Sequence, residues 1–197
     1  VLKARFGFAF DATIRRALPF LFHPRVHPNA LTLAGAAVSL VAAVDFAAGE
    51  LHRGAALAAL GGLFDLVDGV VARAQGRATR FGAFLDSSLD RLVDVALLFA
   101  LALHYAGNGE RAWAWVAGAA LAGSVLTSYA KARAERWLPE FTGGWLERAE
   151  RIVLLIAGGL LGVMKLALAI VALGSVATAV QRIIIARRKL TELEAKP

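Results

Sequence analysis

Apolar residues occur along this chain in blocks whose length says more than their periodicity. Leu31 to Ala48 contains one acid, Asp45, and no base, while Ile152 to Met164 contains no charge at all. Blocks of this kind predict helices that span or nearly span a bilayer. Length and punctuation divide the chain into six, at about 29–49, 52–73, 80–106, 111–137, 147–163 and 166–186. Ahead of them, Phe6, Phe8, Phe10, Ile14, Leu18 and Phe20 interleave with Lys3, Arg5, Arg15 and Arg16. That pattern suits an amphipathic helix lying in the headgroup layer over 1–22, ended by Pro24 and Pro28. The expected architecture is all-α integral membrane, a single domain over 1–197. It comprises the interfacial helix, a six-helix transmembrane bundle over 29–186 and a cytoplasmic tail over 187–197. The first apolar stretch lacks a small-residue cleavage site and reads as mature protein.

Composition agrees, since 58% hydrophobic residues and a mean hydropathy of +0.62 exceed what a water-soluble domain carries. The charge distribution adds an orientation. Of the Lys and Arg residues, only Arg53, Arg111 and Lys165 fall on the side away from the termini, with Arg91 inside a span. The positive-inside rule therefore expects a multi-pass protein of the cytoplasmic membrane, with both termini and the loops near Arg77 and Arg136 in the cytoplasm. The net charge of +7 is accounted for by anionic headgroups and anionic substrates, so no nucleic-acid partner is implied. Absence of Cys excludes disulfides and thiolate metal sites. His23, His27, His52 and His104 lie too far apart in the chain's organisation to form a ligand cluster, and Trp113, Trp115, Trp137 and Trp145 fall near span ends as interfacial anchors.

The chemistry concentrates in four acids within apolar spans: Asp65, Asp68, Asp86 and Asp90. Spacings of three and four put each pair on one helix face, and the short connection near Gln75–Thr79 makes the two helices antiparallel neighbours. Counting from that turn, the acids form two facing tiers roughly 13 and 19 Å along the helices. One aspartate at mid-membrane costs about 2.5–3.5 kcal/mol even on insertion scales, so a compensating charge is required. Divalent cations answer this best: an all-oxygen donor set suits Mg²⁺ or Mn²⁺, and two ions about 4 Å apart suit phosphoryl-type transfer. Pairing with Arg, a water-lined cavity and an ion-transport site are the other readings of buried carboxylates. Gly69, Ala72 and Gly82 leave room beside them, and Arg73 at the mouth can meet phosphate.

Written as D-x2-D-G-x2-A-R-x8-G-x3-D-x3-D, the segment from Asp65 to Asp90 resembles the signature of the CDP-alcohol phosphotransferase (phosphatidyltransferase) family at every fixed position. That resemblance implies six transmembrane helices, a homodimer and a polar cavity open to the cytoplasm. It also implies Asp65, Asp68, Asp86 and Asp90 as ligands to two Mg²⁺ or Mn²⁺ ions, with Asp90 doubling as the catalytic proton acceptor. Gly69, Arg73 and Thr79 would hold the CDP portion of a CDP-activated lipid, with Asn29 and Thr32 closing over it. CMP would be the leaving group.

The acceptor is addressed by Ser128, Lys131, Arg148, Arg151 and Arg182, all near the cytoplasmic ends of the later spans. They suit an anion pocket for an acceptor bearing its own phosphate, and equally the ordinary interfacial bias of basic residues. The stretches Ser128–Glu135, Glu147–Arg151 and Val180–Arg182 are similar to those of prokaryotic phosphatidylinositol-phosphate synthases and their archaeal-lipid counterparts, a branch that uses inositol 1-phosphate. Ala149 and Pro139–Gly144 depart from that branch's pattern. By this likeness Ser128, Lys131, Arg151 and Arg182 would grip the acceptor phosphate, with CDP-diacylglycerol or CDP-archaeol as donor. Glycerol 3-phosphate, serine or another polar alcohol is the alternative acceptor. Asp45 and Asp94 have no assigned role, although Asp94 follows Asp90 by one helical turn.

Overall fold

A computed structural model describes residues 16, 19–23, 25–139 and 141–195 of the chain. Its described regular structure is helical throughout: α1 (Pro28–Ala48), α2 (Leu51–Ala74), α3 (Arg80–Gly107), α4 (Arg111–Ala134), α5 (Arg148–Leu160) and α6 (Met164–Glu194), preceded by a single 3₁₀ turn at Pro19–Phe22. The interfacial helix expected over 1–22 otherwise lies outside the described residues. Leu21 and Phe22 of the turn pack on the cluster of Leu31, Val67, Val70 and Val71. The Gln75 side chain donates to the carbonyls of His23 (3.2 Å) and Val26 (3.3 Å), tying this segment to the end of α2.

Local chemistry explains the helix ends. Pro28 opens α1, where a missing N–H costs nothing. Between α2 and α3 the chain reverses through Gly76 at φ +63°, a conformation that side-chain-bearing residues rarely adopt. The Arg77 N–H then reaches back to the Ala72 carbonyl at 2.9 Å. Thr79 caps α3, its hydroxyl oxygen accepting from the Gly82 N–H at 2.9 Å. This compact reversal holds the two acid-bearing helices side by side.

α1 packs against α2 and α3, α4 against α3 and α6, and α5 bridges α2 and α6. Small residues line the tightest interface: a Cβ on Gly61 would sit 2.1 Å from Ser39 Oγ, and one on Gly35 would sit 2.8 Å from Phe64 Cβ. The helices approach closely because nothing projects between them. Phe46, Leu97, Leu101, Leu155, Leu168 and Val171 fill the main core, with buried alanines between them. Large apolar side chains also face outward, among them Val44, Phe84, Phe99, Leu126, Val153 and Leu173. An outer surface this apolar, around an interior that contains Asp and Arg, is matched to lipid rather than water. α1, α2 and α6 are each long and apolar enough to cross a membrane, with mean hydropathies of 1.9, 1.7 and 2.0.

Helix bounds depart most from sequence expectation at the C-terminal end. α6 does not stop near 186 but continues to Glu194, so most of the segment expected as a tail is helical. The residues after Ala186 contain neither Gly nor Pro before Pro197 and are mostly strong helix formers. Hydropathy marks where apolar surface ends, whereas the helix needs a separate stop signal. α4 is shorter than expected, ending at Ala134, and α5 spans only 13 residues.

Candidate active site

The hairpin of α2 and α3 brings three of the four signature aspartates together. Carboxylate oxygens of Asp65, Asp68 and Asp86 all lie within 4.8 Å of one another. Asp68 is buried, and its Oδ2 has no hydrogen-bond partner among the described residues. Three converging carboxylates and an orphaned buried oxygen fit a hard divalent cation: the donors are all oxygen, and the cation would offset their mutual repulsion.

Beside this cluster lies a cavity of about 210 Å³. Asn29, Thr32, Gly69, Arg73 and Thr79 all line it, together with Asp68 and Asp86. Both hydroxyls of this lining are already engaged: Thr32 donates to the Pro28 carbonyl at 3.2 Å, and Thr79 caps α3. A Cβ on Gly69 would come within 3.3 Å of Arg73 Nη1, and one on Gly82 within 3.1 Å of Asn29 Oδ1. The bare glycines therefore preserve the width between helix backbone and polar side chains.

Asp90 stands apart from the three-carboxylate cluster and is held by Arg148, whose Nη2 is 2.9 Å from Asp90 Oδ1. The same guanidinium places Nη1 3.1 Å from Asp65 Oδ2 and Nε 3.4 Å from Asp94 Oδ1. Asp94 is held in turn by Arg151 Nη2 at 2.9 Å and accepts from Ser124 Oγ at 3.1 Å. A second cavity, of about 320 Å³, has Asp65, Asp90 and Arg148 among its lining. Most of the remaining wall is apolar, with Ala36, Leu66, Leu97, Ile152 and Ile156.

The four residues assigned to the acceptor have different surroundings. Ser128 lines a crevice of about 420 Å³ with Arg91, Asp94, Ser124 and Tyr129. Lys131 lies toward solvent, 3.9 Å from Glu135. Arg151 and Arg182 are buried, at 2% and 4% exposure. Arg182 donates to the carbonyls of Gly143 and Thr127, each at 2.8 Å, and lies 3.4 Å from Glu147. Arg151 donates to the Leu146 carbonyl at 3.3 Å. Both arginines thus brace the 141–147 segment, while Ser128 and Lys131 lie on α4 away from it.

Sequence reasoning placed Arg148 in a candidate acceptor anion pocket and left Asp94 without a role; the structure instead turns Arg148 toward Asp65, Asp90 and Asp94. A signal was available: Arg148 and Arg151, three apart near the start of α5, share one helix face, as do Asp90 and Asp94, four apart on α3. Asp45 belongs elsewhere, in a two-pronged pair with Arg53 at 2.7 and 2.5 Å.

Residues 25–185 match the CDP-alcohol phosphatidyltransferase family, and the chain belongs to that family. It is 41% identical over 191 residues to a phosphatidylinositol phosphate synthase of Streptomyces avermitilis, covering 89% of this chain and 78% of that one. It is 35% identical over 166 residues to an archaetidylinositol phosphate synthase of Pyrococcus horikoshii, covering 84% and 86%. The Mycobacterium tuberculosis phosphatidylinositol phosphate synthase has a similar fold in two crystal structures, both 31% identical. The CDP-DAG-bound form gives a TM-score of 0.78 over 89% of this chain and 92% of that one. The form with manganese and citrate gives 0.79 over 89% and 88%. Family membership and the apolar helices make this a membrane-embedded protein.

Proposed function

We propose that this chain transfers a phosphatidyl or archaetidyl group from CDP-diacylglycerol or CDP-archaeol to inositol 1-phosphate, releasing CMP. The carrying observation is that Asp68 and Asp86 line the same cavity as Asn29, Thr32, Gly69, Arg73 and Thr79, with a carboxylate oxygen of Asp65 within 4.8 Å of theirs. A nucleotide pyrophosphate needs that combination of hard-cation ligands and polar recognition side by side. The names of the relatives from Streptomyces and Pyrococcus support inositol 1-phosphate as acceptor.

In this reading Asp65, Asp68 and Asp86 would hold one Mg²⁺ or Mn²⁺, and Asp90 with Asp65 and Asp86 would hold a second. Bound there, the ions would neutralise the pyrophosphate and the departing CMP. Arg73 and the side chains of Asn29 and Thr79 orient the nucleotide so that the lipid-linked phosphorus faces Asp90. Asp90 accepts the proton of the acceptor hydroxyl as its oxygen bonds to that phosphorus and the bond to CMP breaks. The apolar cavity containing Asp65 and Asp90 supports a lipid portion that stays in the hydrocarbon layer. Arg151 and Arg182, with Ser128 and Lys131, shape the acceptor side.

All six helices, the shorter α5 included, span the membrane in this reading, with both termini and the cavity mouth on the cytoplasmic face, in a homodimer. The test is an acceptor panel on the purified protein with CDP-diacylglycerol and Mg²⁺. CMP should appear with inositol 1-phosphate. Release only with glycerol 3-phosphate or serine would keep the chemistry and reject the acceptor.

A further inference from the structure

We propose that Arg148 is a built-in counter-cation that holds the place of the second divalent ion, so that this ion loads only as the guanidinium leaves Asp90. The proposal rests on the reading of the aspartate cluster as a divalent-cation site. Its grounds are geometric. Asp65 serves two sets of neighbours at once: its carboxylate belongs to the cluster with Asp68 and Asp86, and it also lies 3.1 Å from Arg148 Nη1. The other arm of the same guanidinium lies 2.9 Å from Asp90. Arg148 thus bridges Asp65 and Asp90, two of the acids that a second ion would have to share. A dication there and a guanidinium at hydrogen-bond distance from the same oxygens would repel each other, so they occupy the position alternately.

The side chain also has somewhere to go. Asp94 Oδ1 is buried and has no hydrogen-bond partner among the described residues, although Arg148 Nε lies 3.4 Å away. A small rotation away from Asp90 would convert that near contact into a hydrogen bond. Arg151 has no such freedom: at 2% exposure it is tied to Asp94 and the Leu146 carbonyl, whereas the Arg148 side chain is 29% exposed at the first residue of α5. The consequence for the reaction is order. Asp90 stays occupied by Arg148 until the second ion arrives, so the proton acceptor becomes available only in the fully loaded site.

Mn²⁺ titration of the full-length, metal-stripped protein in nanodiscs, followed by electron paramagnetic resonance, tests this without turnover. Wild type should bind one ion per chain, with the second about tenfold or more weaker. In Arg148→Gln the second ion should tighten by about tenfold, and the exchange-coupled signal of a close ion pair should appear at lower Mn²⁺. The Mn²⁺-induced rise in unfolding temperature should also be larger than in wild type, a rescue that a merely structural arginine would not produce. If Arg148→Gln does not fold without metal, Arg148→Lys decides: it keeps one charge but cannot bridge two carboxylates, and the second ion should tighten severalfold. Unchanged or weakened second-ion binding in whichever variant folds, with the first ion retained, overturns the proposal. A wild type that binds no Mn²⁺ overturns both the proposal and the metal-site reading beneath it.

Discussion

Two residues illustrate how partner geometry decides what a substitution does. Asp90 is near neither the exposed surface of α3 nor the core, but between Arg148 and a cavity, where removing its charge alters little packing. Asp90→Asn should lower turnover by about 10²–10⁴-fold while leaving CDP-lipid binding measurable by equilibrium binding in detergent. Arg182 behaves differently because its donors end on backbone carbonyls. Arg182→Ala would remove the hydrogen bonds to the Gly143 and Thr127 carbonyls, costing about 1–3 kcal/mol. The expected result is a lowered unfolding temperature together with a raised acceptor KM, since the 141–147 segment loses its brace. A change in KM with full thermal stability would instead assign Arg182 to direct anion contact.

At the level of elements, the interface of α1 and α2 depends on missing side chains. Gly61 and Gly62 are adjacent yet predict opposite outcomes. Gly61→Ala drives a methyl toward Ser39 Oγ and should destabilise by about 1–3 kcal/mol. Gly62→Ala meets nothing within 4 Å, so it should be neutral or gain up to about 1 kcal/mol from helix propensity. Thermal unfolding of the two variants in the same detergent checks both. The Gly61 change should also lower activity, because the α1–α2 spacing positions Thr32 and Asn29 over the cavity that Asp68 and Gly69 line.

For the molecule as a whole, orientation and loading are the testable properties. The chain has no cysteine, so single-cysteine variants report topology without background labelling. Gly76→Cys, between α2 and α3, should react with an impermeant maleimide only from the cytoplasmic side, and Gly109→Cys, between α3 and α4, only from the opposite side. The swapped pattern would reverse the positive-inside assignment, and labelling of both from one side would mean that α3 does not cross the membrane. Chelation should abolish CMP release, and re-addition of Mg²⁺ or Mn²⁺ should restore it.

Much of the fold is written in local pattern. Apolar block length, Gly76 at the reversal and Thr79 before α3 depend on neighbours within a few residues, so the helices and the faces that carry Asp65–Asp68 and Asp86–Asp90 are readable from the chain, whereas the separation of Asp90 from the other three acids is not. The signature spacing belongs to the same scale. Termination of α6 was less readable, because lipid preference fades near Arg187 while helix propensity does not.

Which cation meets which acid was decided only by tertiary structure. Arg148 is 83 residues from Asp65 in sequence, and Arg151 is 57 from Asp94. Basic residues near a membrane face look alike until packing selects one of them. The docking of α5 against α2 and its approach to α3 turn two of many such arginines into partners of the acid tiers. A helical period fixes what shares a face, whereas an ion pair forms only where two remote faces are brought within a few ångströms.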